Sequence, residues 1–204
     1  MMSSTATNSI PLVLASASPR RKTLLEAAGL FFEIVESGID EIRREGETAI
    51  DFAMRIAAEK ALNVSARRPA ALVLAADTIV ECEGQILGKP ADPADARAML
   101  QTLSGNTHTV VTAFAIASAR KISESHSAIS RVTFRRLSSD EIAAYVASGA
   151  PLDKAGAYGI QDAGAGFISH VEGSRDNVMG LPVCEVLSAL RRHGLATSSR
   201  NSPH

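Results

Sequence analysis

Two carboxylates and four cations in this chain stand where side chains of those types can act on an anion. They are Glu41 and Asp77, and Arg20, Arg21, Lys60 and Lys89. Lys60 falls on the stripe of an expected helix, and the others at an expected strand end, helix start or constrained loop. Cations in such places suit a polyphosphate, and carboxylate oxygens suit Mg²⁺ or Mn²⁺. If the fold brings them together, the set suits metal-assisted attack of water on a phosphoanhydride. Rival chemistries lack their signatures. There is no G-x-x-x-x-G-K-[ST] loop, no G-x-G-x-x-G fingerprint and no Ser framed as G-x-S-x-G. His108, His126, His170, His193 and His204 are scattered, and each reads as a surface or structural residue. Cys82 and Cys184 lack ligand spacing and read as structural thiols rather than a disulfide.

The elements that must hold these residues follow from the local pattern. Pro11 to Ala15 is apolar and suits a short buried strand. Ser18 suits an N-cap, Pro19 a first helical position and Gly29 a left-handed stop. Ser16-Ala17-Ser18-Pro19-Arg20-Arg21 is therefore a strand-to-helix turn carrying two guanidiniums. Free amides at a helix start favour anions, as do the arginines; alternatively the turn is a capped surface helix with solvated arginines. Phe31 to Ser37 suits a second strand, followed by a polar loop with Gly38, Asp40 and Glu41. A helix is expected from Thr48 to about Val64, with Ala49, Phe52, Ala53, Ile56 and Lys60 on one stripe. Lys60 is thus aligned with the buried face, or else snorkels from its end. Arg55 and Glu59 make an i,i+4 surface pair.

Ala70 to Ala76 is apolar without alternation and reads as a central strand buried on both faces. Asp77 is expected where that strand emerges, as a site carboxylate or an Asx-turn. Ile79 to Leu87 suits a hairpin broken at Gly84-Gln85, and Pro90 stiffens the exit around Lys89, otherwise a plain loop lysine. A helix is expected over Asp92 to Leu103, strands over Thr107 to Ser118 and Ser127 to Phe134, and a polar turn over Arg120 to His126. Ser138 and Glu141 have capping-box spacing for a helix ending near Gly149. A glycine-rich stretch from Pro151 to Gly166 permits close backbone approach to a ligand, or is simply a loop. A short strand at Phe167 to Val171 and a helix from Pro182 to His193 complete the chain. This order favours α/β with a mixed, partly antiparallel sheet, and leaves the strand order open.

A length of 204 residues suits one domain, and 46% hydrophobic residues suffice for a core. With 4% aromatic residues and no Trp, that core must come from Ala, Val, Ile and Leu. A formal net charge of −1 gives no general case for nucleic-acid or membrane binding. Met1 to Ser9 lacks the basic and apolar regions of a leader, and no apolar run is long enough to span a bilayer. Disordered tails at 1–9 and 195–204 and a cytoplasmic location are expected.

The chain resembles the Maf family of nucleoside triphosphate pyrophosphatases from about Ile10 to His193. The matching pieces, in order, begin with Leu14 to Arg21, Asp40-Glu41, Arg55 to Ala61 and Ala76-Asp77-Thr78. Gly88-Lys89-Pro90, Leu103-Ser104-Gly105, Asp153 to Gln161 and Gly180-Leu181-Pro182 complete the set. The resemblance implies one domain over 10–194, with a two-lobed inosine triphosphate pyrophosphatase-like fold and a central cleft. It implies hydrolysis of a nucleoside triphosphate to the monophosphate and pyrophosphate. Asp77 is then the proton acceptor for the attacking water, and Glu41 with Asp77 holds the divalent metal. Ser16, Arg21, Lys60 and Lys89 grip the triphosphate. A homodimer is also implied.

Within the family, Pro19-Arg20-Arg21, Ala76-Asp77-Thr78 and Gly159-Ile160-Gln161 resemble the branch acting on dTTP and UTP. The resemblance makes Arg20, Thr78 and Gln161 specificity residues. The 7-methyl-GTP branch usually has Trp, Gln and Glu at those positions. Arg175-Asp176 resembles that other branch. The family also resembles proteins implicated in arrest of septum formation, so a non-catalytic nucleotide-binding regulator is a second alternative.

Overall fold

A computed structural model describes residues 10–195. The tails expected at 1–9 and 195–204 lie outside the described residues except for Leu195, which packs against apolar core instead. Among the described residues the chain folds around one seven-stranded mixed sheet. Its strands are β1 (Leu12–Leu14), β2 (Glu33–Ile34), β3 (Leu72–Cys82), β4 (Gln85–Leu87), β5 (Thr107–Ser118), β6 (Lys121–Phe134) and β7 (Ile168–Glu172). The strand order is β2-β1-β3-β5-β6-β7, with β4 also pairing β3. β1 runs parallel to β2 and β3, and the remaining pairs are antiparallel.

The α-helices are α1 (Pro19–Ala27), α2 (Ala49–Arg67), α3 (Pro93–Leu103), α4 (Ser139–Ala147), α5 (Arg175–Met179) and α6 (Val183–Arg192). Short 3-10 turns at Ala150–Asp153, Ala155–Ala157 and Ala163–Phe167 occupy the glycine-rich stretch. Among the described residues no helix is long and apolar enough to cross a membrane.

Three expected boundaries move. Asp77 is not at a strand end, because β3 continues through it to Cys82. The apolar run stops there because the side chain turns toward a cleft, while backbone pairing with β5 carries on from Val73↔Ala117 to Glu81↔Thr109. The polar stretch Arg120 to His126 is not a turn. Ala119 and Arg120, at φ 46° and 65°, reverse the chain in two residues, and β6 starts at Lys121. Paired left-handed residues match the twist of a hairpin, and the outer half of β6 is exposed, so its side chains gave no apolar alternation. The second strand shrinks from Phe31–Ser37 to two exposed edge residues.

β3 organises three cores by the alternation of its side chains. Val73, Ala75 and Ile79 face α2 with Phe52, Ile56 and Ala57. Leu72, Leu74 and Ala76 face α1 and α6 with Leu25 and Leu190. Farther along that second face, Val80 and Cys82 join Leu100, Phe134 and Tyr145 near α3 and α4. Cys82 is buried and free, whereas Cys184 is free but exposed and so is no buried structural thiol.

Candidate active site

One edge of β3 is interrupted. β5 covers the opposite edge throughout, while β1 pairs only as far as Leu14↔Leu74 and the Ala15 amide bonds the Leu74 carbonyl at 2.7 Å. β4 takes up the edge again at Val80↔Leu87. Between them β1 gives way to the Ser16–Ser18 turn, and a cleft of about 650 Å³ opens over Asp77 and Thr78. Alternation sends the two side chains to opposite faces of the sheet, Asp77 toward α2 and Thr78 toward α1. The cleft is lined by cationic Arg20, Arg21, Lys60, Lys89 and Lys154, and by the carboxylates Glu36, Glu41, Asp77 and Asp153.

On the α2 face, Lys60 reaches the sheet from the buried stripe of its helix and is 5% exposed. Its Nζ lies 2.8 Å from Asp77 Oδ1 and 2.7 Å from Glu41 Oε1. One ammonium thus bridges a buried carboxylate and a half-exposed one. Desolvation raises the Asp77 pKa above the usual carboxylate range, although the charges of Lys60 and Arg21 work against it. Glu41 goes the other way. Burial works to raise it, but the Lys60 hydrogen bond and the charges of Lys60, Lys89 and Arg21 together hold it below its ordinary value. Two neighbouring carboxylates are therefore set apart, one held as an anion and one tuned toward accepting a proton.

The loop carrying Glu41 is tied down by Arg55. This arginine makes the expected pair with Glu59 at 3.2 Å, and it also bonds Glu47 and the Ile42 carbonyl, the latter at 2.9 Å. The Arg55 hydrogen bond holds the Glu47 carboxyl down at about 2.

On the α1 face, Arg21 is buried and uses all three guanidinium nitrogens. Nε donates to the Gly180 carbonyl at 2.9 Å, Nη1 to Ser16 Oγ at 3.1 Å and Nη2 to Thr78 Oγ1 at 3.0 Å. Burial lowers its pKa, while the charges of Asp77 and Glu41 oppose that. Arg21 is thus a tie between α1, β3 and the end of α5 as well as a cleft cation. Ser18 occupies the N-cap position of α1 but makes no side-chain cap bond; its amide bonds Ser16 Oγ at 3.2 Å instead.

Arg20 leans across the cleft mouth to Asp153, bonding its carboxylate at 2.8 Å and its carbonyl at 3.3 Å. Lys154 beside it reaches Asp153 at 2.6 Å and Asp162 at 3.3 Å. The structure thus brings together Ser16, Arg20, Arg21, Glu41, Lys60, Asp77, Thr78 and Lys89 at one cleft. Gln161 is exposed and outside the cleft lining, although Gly159 and Ile160 line it. Arg175 is exposed at the start of α5 and is likewise not among the lining residues.

Sequence reasoning missed α5 and the polar residues behind the cleft, Thr112 and Asn177. Five residues are too short for a helical period, and the pairing Thr78↔Thr112 is a strand register that spacing cannot reveal. The only local signal was Ser174, whose hydroxyl caps α5 by accepting from the Asn177 amide.

The family model described as Maf-like protein matches residues 11–193. A dTTP/UTP pyrophosphatase of Geotalea uraniireducens (strain Rf4) is 49% identical over 90% of this chain and 95% of its own. One of Myxococcus xanthus (strain DK1622) is 49% identical over 94% of this chain and 96% of its own. The structure of a HAM1 protein from Coxiella burnetii covers 90% of this chain and 99% of that one, at TM-score 0.46 and 14% identity. A match of this length to the family model, with relatives so similar along the same residues, means that the chain belongs to the Maf family.

Proposed function

We propose that this chain is a nucleoside triphosphate pyrophosphatase that hydrolyses dTTP and UTP to the monophosphate and pyrophosphate. The observation that carries the chemistry is the buried Asp77, its pKa raised, held on Lys60 at the floor of a cation-lined cleft. The base preference is supported by the relatives named above. Residues 10–194 are the catalytic unit in this reading.

Asp77 takes a proton from water as the water oxygen attacks the α-phosphorus. The bond from that phosphorus to the bridging α–β oxygen breaks, and pyrophosphate leaves with the electron pair. Lys60, Lys89 and Arg21, with the Ser16 turn, offset the charge that develops on the phosphate oxygens. Arg20 and Thr78 border the base, and Gln161 joins them only if the segment after Ile160 moves toward the cleft.

Glu41 and Asp77 are the two carboxylates available to a divalent cation, and no group of three acidic, His or Cys ligands exists among the described residues. That fits Mg²⁺ or Mn²⁺, which take one or two carboxylates and complete their shell with water and substrate phosphate. Bound there, the ion neutralises phosphate charge. Lys60 holds the same two carboxylates together.

Pyrophosphate release from a panel of triphosphates tests the assignment. Turnover of dTTP and UTP is expected; turnover of 7-methyl-GTP alone overturns the base preference, and nucleotide binding without any release favours a regulator. Asp77→Asn is expected to lower kcat by at least roughly 100-fold while nucleotide still binds. Near-normal kcat in that variant would remove Asp77 as the base.

A further inference from the structure

We propose that Thr112 is a positioning residue for base recognition, fixing the Thr78 hydroxyl as a hydrogen-bond acceptor that receives the imide N3–H of uracil or thymine. The inference rests on the pyrimidine reading above. It comes from proton bookkeeping along one buried chain of groups. Thr112 Oγ1 lies 2.9 Å from the Asn177 backbone carbonyl, which has no proton to give, so the Thr112 proton points there. Thr112 and Asn177 are both 0% exposed, so no solvent competes. Thr112 can therefore only accept across its 3.0 Å contact with Thr78 Oγ1, and the Thr78 proton is committed to it. Arg21 Nη2, which has only protons to offer, donates to Thr78 at 3.0 Å. The Gly180 carbonyl, at 3.5 Å, is a poorer acceptor for that proton and already takes Arg21 Nε at 2.9 Å.

One assignment satisfies all these bonds, running Arg21 to Thr78 to Thr112 to Asn177. It leaves the partly exposed Thr78 oxygen one lone pair and no proton for the cleft. Thr78 then cannot donate to a phosphate oxygen or a base carbonyl. It can accept from a donor, and N3 carries a hydrogen in uracil and thymine but a bare lone pair in cytosine. UTP and dTTP differ at the 2′ position, so a 2′-hydroxyl is not the shared donor.

Thr112→Val keeps the shape and removes the acceptor, while the Asn177 carbonyl retains the Gly180 amide at 2.9 Å. The freed Thr78 proton can then turn to the cleft. Steady-state kinetics with UTP and CTP should show wild-type preference for UTP. That preference should fall roughly tenfold in Thr112→Val, chiefly through KM for UTP, and return in Thr112→Ser. A purely structural role would depress both substrates alike.

An unchanged ratio in folded Thr112→Val overturns the proposal, and so does a ribose hydroxyl as the donor, since both substrates share it. Should the valine variant not fold, Thr112→Cys carries the same test with a weak acceptor. A wild type that turns over neither UTP nor dTTP overturns the pyrimidine reading, and this inference with it; a selective wild type with an insensitive Thr112→Val overturns the inference alone.

Discussion

Asp77 and Lys60 form a buried ion pair in the lining of the cleft. A fully buried ion pair is a weak source of stability, because desolvation offsets most of the Coulombic gain. Here the ammonium lies between two carboxylates, so removing it would leave two anions facing each other at the cleft floor. Desolvation and the Glu41 charge raise Asp77; Lys60 is the leading influence pulling it down. In the base role proposed above Asp77 must be ionised to act, so kcat/KM should fall as pH drops through its pKa. Lys60→Met takes away the opposing charge, and the acid limb of its pH–kcat/KM profile should move to higher pH. A limb that stays in place would mean that another group titrates there.

The helices differ in what they do for the cleft. α2 brings Lys60 and, through Arg55, the Glu41 loop, so its capping by Thr48 bears on both sides of the ion triad. α4 packs into the Phe134–Tyr145 core and is started by a complete capping box, Ser138 accepting from the Glu141 amide while Glu141 accepts from the Ser138 amide. No residue of α4 lines the cleft. Ser138→Ala should therefore cost about 1 kcal/mol in urea unfolding and leave kcat and KM for UTP unchanged. A kinetic change at equal folded fraction would show that α4 positions the site after all.

Across the whole molecule, stability and catalysis draw on opposite treatments of polar groups. His108 is buried on β5, its Nε2 2.8 Å from the Tyr158 hydroxyl and its ring edge-on to those of Phe134 and Tyr158. Burial pushes its pKa down to about 4. The unfolded chain binds a proton near pH 6.5 that the folded chain refuses, so His108 stabilises fully above that pH and loses the contribution as pH falls toward 4. The loss is on the order of 3 kcal/mol. Tm measured between pH 6.5 and 4 should fall less steeply in His108→Gln than in the parent. Equal slopes would place the acid sensitivity elsewhere.

Much of this protein was legible before folding was considered. The periodicity that put Lys60 on the stripe of Phe52 and Ile56 depended only on helical geometry, and so did the capping box at Ser138. Polarity was legible too, since an aspartate ending an apolar run marks a change of environment. What that change is could not be read, because a strand that turns one side chain into a cleft and a strand that ends leave the same local pattern. Register hid the rest. Thr112 meets Thr78 only because β5 pairs β3 in one alignment, and Arg21 becomes a tie only because Gly180 lies beside α1 in space. Sequence by itself determined which residues can carry charge, where the five longer helices form and which family the motifs resemble, since those depend on neighbours within a few positions. Tertiary structure alone decided that β1 gives way before β4 begins, and so that Asp77 and Thr78 share a cleft. Contacts between distant segments set burial and proton direction, and those forces have no counterpart in local spacing.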